Sequence, residues 1–270
     1  MMSKLKQDLE ESCAFLEQYK GKAKNAVIFG TGLAGATLDK LKIHRRVSYS
    51  DIPNFPSGKN DFHKGELIAA DLNGSPLMVM TGRVHCYEGY TVQQVVYPIH
   101  VLKELGVECL VNTSSVGGVN KNLSKGDLMV LRDHINLTSL NPLIGYDDSL
   151  GTRFLPGNFY DSKLASLAEK SAASEGISLK NGILFFLPGP SFETIAEFKS
   201  IEKLGGDTIG WSGVLETIVA NYRNMKVLGI NCITDSLNFS NTPHLKEISN
   251  VAEKSSHNLY KILAKVINLN

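Results

Sequence analysis

Short apolar runs alternate with longer amphipathic segments along most of this 270-residue chain. The runs are bounded by glycine, proline or polar clusters and favour buried strands, whereas the segments with apolar residues at helical spacing favour helices. Strands are predicted at 26–29, 67–72, 76–81, 109–113, 128–131, 183–186, 207–210 and 227–233, and helices at 3–20, 91–105, 161–175, 193–204, 213–223 and 245–268. This alternation predicts an α/β fold with a mixed, largely parallel central sheet.

Three segments interrupt the pattern. Gly-rich turns are predicted at residues 30–35 and 114–118, each directly after a strand, and residues 136–160 form a long polar loop of the kind that often carries function. No repeat, low-complexity stretch or linker separates the elements, so we expect residues 1–270 to form a single domain.

Composition narrows the choice of function. The chain has 28 basic and 27 acidic side chains, which gives a formal charge of +1 and no electrostatic footprint for nucleic acid or an anionic membrane. The four cysteines are scattered and predict neither a zinc site nor a disulfide framework. No signal peptide or membrane-spanning stretch is evident, so a soluble cytoplasmic protein is expected.

The segment from Thr81 to Tyr90 carries the densest chemistry. If the preceding strand continues, Arg83 and His85 project from the same face, where a guanidinium and an imidazole suit a phosphate. Glu88 could then orient His85 or a substrate hydroxyl. The alternative is a solvated strand end with a surface ion pair.

Residues 30–35 match the dinucleotide fingerprint G-x-G-x-x-G, with Asp51 at the distance of a ribose-binding acid. The segment before Asp51 is, however, less apolar than a second strand of such a fold. The same turn could hold phosphate with help from the Thr31 hydroxyl, or could be purely structural. Both Gly-rich turns follow strands, so they could converge with Arg83 and His85 on one anion.

Aromatic and acidic residues follow the later strands. Phe192 could stack on a planar base, and Glu193 could accept hydrogen bonds from it. Trp211 precedes a serine at a predicted helix start, and Asp235 follows the last buried strand. Each of these also has an ordinary structural explanation, either in the core or at a helix terminus.

Taken in order, these segments resemble the trimeric purine nucleoside phosphorylases. The resemblance runs over about residues 20–265 and rests on seven stretches, at 30–33, 52–56, 82–90, 117–120, 126–129, 132–137 and 189–194. It implies a three-layer α/β/α phosphorylase fold, a homotrimer, and the reversible phosphorolysis of purine ribo- and deoxyribonucleosides in purine salvage. Inorganic phosphate would be a co-substrate, and neither a cofactor nor a metal is implied.

The resemblance also implies roles for individual residues. The implied phosphate ligands are Thr31, His63, Arg83, His85, Ser115 and Ser212. The implied ribose contacts are Tyr87, Trp211, His244 and, from the neighbouring subunit, Phe154. The implied purine contacts are Phe192, Glu193, Trp211 and Asp235, and the implied catalytic residues are His85, Glu88, Asp235 and His244.

Four residues depart from the family pattern: Thr31 stands where serine is common, Ser115 stands where alanine is usual, and Asp235 and Trp211 also differ. Asp235 stands where enzymes that prefer 6-oxopurines usually have asparagine, and an ionised aspartate accepts hydrogen bonds only, which favours a 6-amino group. If Glu193 lies close to Asp235, one of the two acids could instead be protonated. Trp211 replaces a methionine and reshapes the pocket.

Three alternative functions stay open at this stage. Methylthioadenosine phosphorylases have the aspartate but lack the glutamate. An NAD-dependent oxidoreductase rests on residues 30–35 alone, and a non-catalytic nucleoside-binding homologue would account for the substitutions at 115, 211 and 235.

Overall fold

A computed structural model describes residues 1–58, 65–236 and 245–269. Its strands are β1 (Asn25–Ile28), β2 (Lys42–Ser48), β3 (Glu66–Leu72), β4 (Ser75–Met80), β5 (Cys109–Gly118), β6 (Leu128–Asn136), β7 (Leu179–Phe186), β8 (Thr208–Gly210) and β9 (Lys226–Ser236). Its helices are α1 (Met2–Phe15), α2 (Gly35–Leu38), α3 (Val92–Glu104), α4 (Ser162–Ser174), α5 (Ile195–Leu204), α6 (Val214–Tyr222) and α7 (Leu245–Leu269).

In the described part of the chain, nine strands form one mixed sheet in the order β2-β3-β4-β1-β5-β8-β7-β6-β9. β1 lies parallel to both β4 and β5, whereas β2, β3 and β4 form an antiparallel meander at one edge. β5 also pairs in parallel with β9, so β5, β8, β7, β6 and β9 close into a ring. The predicted α/β class with a mixed sheet is confirmed.

Helices cover both faces of the sheet. Along β1, Ala26 and Ile28 belong to one apolar cluster and Val27 to a second, because successive side chains of a strand point to opposite faces. Helices α3 and α6 pack in the first cluster, and α4 and α7 in the second. The central strands are therefore buried on both faces, which explains why they appear in the sequence as continuous apolar runs.

Two elements differ from the sequence-based prediction. The predicted turn at 114–118 is the second half of β5, because Ser114 and Ser115 continue the parallel register with Asn231 and Cys232 of β9. Strand β2 was not predicted, since it is an exposed edge strand of mostly polar residues and carries no apolar run. The remaining predicted strands and helices have counterparts at shifted ends.

The dinucleotide-binding interpretation of residues 30–35 is not supported by the fold. A Rossmann unit needs a full crossover helix and a second parallel strand. Here α2 has only four residues, and β2 pairs antiparallel with β3 at the edge of the sheet. Asp51 is exposed in a short 3₁₀ turn, Tyr49–Asp51, instead of following a parallel strand.

Candidate active site

A cavity of about 690 Å³ opens where several strands end. Residues that directly follow β1, β4 and β8 line it, together with residues near the ends of β5 and β9, the connection between β7 and α5, and one side of α7. Ten predicted site residues line this cavity: Thr31, Arg83, His85, Tyr87, Ser115, Phe192, Glu193, Trp211, Ser212 and Asp235. The topology therefore brings together residues that are as much as two hundred positions apart in the sequence.

The Gly-rich loop after β1 is held against β5. The Ser115 hydroxyl donates to the Thr31 carbonyl at 2.8 Å, and the Gly30 N–H donates to Thr113 Oγ1 at 3.1 Å. A Cβ at residue 30 would lie 2.8 Å from Ser114 Cα, so only glycine allows this approach. Thr31 and Ser115 are thus fixed beside each other on one wall of the cavity.

Arg83 is the buried cation of this wall. Its Nη1 donates to Glu216 Oε1 at 3.1 Å, and its Nη2 donates to the Thr113 carbonyl. The other oxygen of Glu216 accepts from the Gly213 N–H at 3.0 Å. Among the described residues, Arg83 Nε has no hydrogen-bond partner. The guanidinium is therefore charge-balanced by Glu216 and keeps N–H donors for an anion.

Two serine hydroxyls lie near the guanidinium. Ser114 Oγ and Ser212 Oγ are 3.3 Å apart, and a Cβ built on Gly213 would lie within 4 Å of both Ser114 Oγ and Arg83 Nη1. Hydroxyls, backbone N–H groups and a guanidinium are the donors that phosphate requires. Ser114 is not among the phosphate ligands predicted from the sequence.

Glu88 holds His85 in place. Its Oε1 lies 3.0 Å from His85 Nδ1 and also accepts from the His85 N–H at 2.9 Å. The carboxylate favours a proton on Nδ1. The other ring nitrogen, Nε2, lies on the edge of the ring that faces away from Glu88. Tyr87 stacks on the imidazole with ring centroids 4.7 Å apart. Burial raises the pKa of the Tyr87 phenol, so that this residue stays neutral at physiological pH.

The aromatic side of the cavity is centred on Trp211. Its ring lies 5.7 Å from that of Tyr87 and 5.0 Å from that of Phe192, centroid to centroid. Its Nε1 donates to Glu193 Oε1 at 3.2 Å. Gly189 has a φ of 64°, and a Cβ there would lie 2.9 Å from the indole. Trp211 therefore orients Glu193 and packs against both neighbouring aromatic rings.

Asp235 lies at the end of β9 and has a different partner. Lys125 Nζ is 3.3 Å from Asp235 Oδ1 and 2.9 Å from Glu247 Oε1 of α7. Within the described residues, no hydrogen bond joins Asp235 to Glu193. The structure thus gives no support to a proton shared between these two acids.

Three predicted residues are not among the described residues that line the cavity. His63 and His244 lie outside the described residues. Phe154 is not part of the cavity; its side chain is 80% exposed, with the Arg153 guanidinium 4.9 Å from its ring centroid. A contribution of Phe154 to a neighbouring subunit stays a prediction.

Several lining or supporting residues were missed from the sequence: Ser114, Lys125, Glu216, Ile248, Ser249 and Glu253. Glu216 is 133 positions from Arg83, and no local pattern links two such distant residues. The helical pattern of α7 predicted that one face of this helix is packed. Its contact with the Gly-rich loop, where Gly32 lies against Ser249 and Ala252, could not be predicted because it forms only in the folded chain. Among the described residues, no cluster of three metal-ligating side chains is present, and no helix is long and apolar enough to cross a membrane.

The chain is similar to known proteins over most of its length. Residues 24–268 match the Phosphorylase superfamily. Purine nucleoside phosphorylase 1 of Bacillus subtilis is 41% identical over 235 residues, covering 86% of each chain. The crystal structure of Schistosoma mansoni purine nucleoside phosphorylase in complex with adenosine is similar at a TM-score of 0.86 and 30% identity, covering 97% of this chain and 96% of that one. The second S. mansoni isoform, in complex with cytosine and ribose-1-phosphate, has a TM-score of 0.88 at 32% identity, covering 97% and 95%.

Proposed function

The chain belongs to the phosphorylase superfamily and, within it, to the purine nucleoside phosphorylases, and from this premise we propose that it catalyses the reversible phosphorolysis of purine ribo- and deoxyribonucleosides in purine salvage. The enzyme class is a pentosyltransferase. One structural observation carries the proposal. Groups that can donate hydrogen bonds to an anion line the same cavity as a cluster of aromatic and acidic side chains. A nucleoside and a phosphate need these two environments side by side.

Arg83, His85, Thr31, Ser115 and Ser212 bind the phosphate in this proposal. An oxygen of the bound phosphate attacks the anomeric carbon as the bond from that carbon to the purine nitrogen breaks, through an oxocarbenium-like transition state. The fixed donors position the anion next to the developing positive charge of the ribose. Glu88 acts through His85 and is a positioning residue.

The sugar and the base occupy the aromatic side. Tyr87 and Trp211 contact the ribose, and Phe192 stacks on the purine. The leaving purine takes the electron pair of the broken bond, and a ring nitrogen acquires, by way of water, the proton that the attacking hydrogen phosphate gives up. Glu193 and Asp235 accept hydrogen bonds from the base. The similar crystal structure of S. mansoni purine nucleoside phosphorylase contains adenosine, which supports a purine nucleoside as the ligand class.

Further parts of the proposal rest on the resemblance alone. They are one functional domain, a phosphate contact by His63, a ribose contact by His244, a homotrimer in which Phe154 completes a neighbour's site, a cytoplasmic location, and catalysis without a cofactor or metal. The exposure of Phe154 is compatible with the trimer. Methylthioadenosine phosphorolysis is the second candidate, favoured by Asp235 and disfavoured by Glu193 in the same cavity.

The test follows base release by chromatography with inosine, guanosine, adenosine and methylthioadenosine, each with and without phosphate. We expect phosphate-dependent release from purine nucleosides. Release from methylthioadenosine alone would favour the second candidate, and no release from any of the four would refute catalysis.

A further inference from the structure

Asn112 is a buried amide on the face of β5 that packs against α6. Alternate side chains of a strand share a face, so Asn112 lies between Leu110 and Ser114 on this face. Leu110 belongs to the apolar cluster that also contains the buried side chains of α6. Asn112 is only 4% exposed. A buried amide needs hydrogen-bond partners, and the partners of this one indicate its role.

These partners lie at the start of α6. Asn112 Nδ2 donates to the Gly213 carbonyl at 2.9 Å and to Thr217 Oγ1 at 3.4 Å. Asn112 Oδ1 has no hydrogen-bond partner among the described residues. The amide therefore links the middle of β5 to the turn between β8 and α6, and the hydrogen bond to Gly213 is the shorter of its two contacts.

Helix α6 does not need this amide to satisfy its first turn. The Gly213 carbonyl already accepts from the Thr217 N–H at 3.0 Å, and the Gly213 N–H donates to Glu216 Oε2 at 3.0 Å. Both backbone groups of Gly213 thus have partners within the helix itself. What Asn112 adds is a fixed position of the turn relative to β5.

The turn that Asn112 holds carries part of the anion-binding wall of the cavity. Ser212 directly precedes Gly213, and its Oγ lies 3.3 Å from Ser114 Oγ of β5. A Cβ built on Gly213 would lie 3.1 Å from Ser114 Oγ and 3.8 Å from Arg83 Nη1. The turn therefore lies directly against the guanidinium and the serine hydroxyls, and a shift of Gly213 would move Ser212 relative to Arg83.

We propose that Asn112 is a positioning residue for phosphate: it holds the turn at Gly213 against β5, so that Ser212 and Arg83 can donate to the same anion. This inference rests on the proposed function, because it takes Ser212 and Arg83 as phosphate ligands. It assigns a role to a residue that does not line the cavity.

The aromatic side of the cavity should depend on Asn112 much less. Trp211 belongs to the same turn, but its indole is held separately by the hydrogen bond to Glu193 at 3.2 Å and by the ring of Phe192, with centroids 5.0 Å apart. A small shift of the turn is therefore expected to affect phosphate binding more than nucleoside binding.

The test is Asn112→Leu, which keeps the approximate shape of the side chain and removes its donor. Steady-state assays of base release should show a phosphate KM raised by about 3- to 10-fold and a nucleoside KM within about twofold of the wild-type value. The Tm should stay nearly unchanged, because the Gly213 carbonyl keeps its bond from the Thr217 N–H. Thr217→Val is the matched control: it removes only the longer contact of the same amide and should leave both KM values unchanged.

A merely structural role of Asn112 would give a different result. An equal rise in both KM values, or a lower Tm with a wild-type phosphate KM, would overturn the proposal. A rise in the phosphate KM of Thr217→Val as large as that of Asn112→Leu would overturn it as well. Asn112→Ala adds no volume and should show the same difference between the two KM values, so it provides the test if the leucine variant does not fold.

Failure of the proposed function can be distinguished from failure of this inference. If the wild-type protein releases no base from any nucleoside, the proposed function fails, and calorimetric titration with inorganic phosphate still tests Asn112. Weaker phosphate binding by Asn112→Leu than by the wild type would support the positioning role. Equal affinity, or no binding by either protein, would refute it.

Discussion

Replacing Arg83 by methionine tests whether this residue binds phosphate or only supports the fold. The side chains of Arg83 and Glu216 are 5% and 3% exposed, so the substitution leaves a buried carboxylate without its cation. Removing one partner of a buried pair lowers the free energy of unfolding by about 3–5 kcal/mol. For a chain of this size, that corresponds to a fall in Tm of roughly 6–20 °C. Loss of a charge-assisted contact to phosphate should also raise the KM for phosphate by roughly 10- to 100-fold.

A double variant separates the two roles. Arg83→Met combined with Glu216→Gln removes both charges, while the amide of the glutamine can still accept from the Gly213 N–H. We expect the double variant to recover most of the lost Tm, measured by thermal denaturation, and to keep the raised phosphate KM, measured in a base-release assay. A double variant with the wild-type phosphate KM would show that Arg83 is only structural. An unchanged Tm in the single variant would refute the burial argument.

Three further predictions concern other parts of the molecule. Trp211→Phe removes the donor to Glu193 and should raise the nucleoside KM by roughly 5- to 10-fold with little change in the phosphate KM; equal effects on both would contradict an orienting role. Phe154→Ala should leave Tm nearly unchanged because the side chain is exposed, and should lower activity if the residue completes a neighbour's site; full activity in steady-state assays would remove it from the site. Burial, and then the Arg223 guanidinium, lowers the pKa of His100 from 6.5 to about 3, so the folded state keeps it neutral while the unfolded chain binds a proton. The free energy of unfolding should therefore fall by about 1.4 kcal/mol per pH unit as the pH drops from 6.5 towards 3. Urea denaturation at pH 7 and at pH 4.5 measures this loss, which should be smaller for His100→Gln than for the wild type.

The central strands could be predicted because both of their faces are buried. β1 and β4 are continuous apolar runs, and the helical segments between strands show the expected spacing. β2 could not be predicted because it is an edge strand whose side chains are exposed or half-buried. Its sequence therefore shows no apolar run. The second half of β5 looked like a turn because it is rich in serine and glycine, and only its pairing with β9 makes it a strand.

The residues of the candidate site could also be predicted only in part from the sequence. Short motifs after strand ends pointed to Arg83, His85 and Glu193, because the carboxyl ends of parallel strands gather at one crevice. The partners of these side chains did not follow from the sequence. Glu216, the partner of Arg83, and Lys125, the partner of Asp235, lie in distant segments that meet only in the folded chain. These partners pair with the charged side chains of the site and hold them in place.

Phosphorolysis and hydrolysis of a purine nucleoside release the same base and differ in the second product. The most direct test of the account is ³¹P NMR of the protein incubated with inorganic phosphate and either guanosine or adenosine. Our account predicts a new phosphate monoester signal, that of ribose 1-phosphate, growing in step with base release. Base release with free ribose and an unchanged inorganic phosphate signal would contradict it.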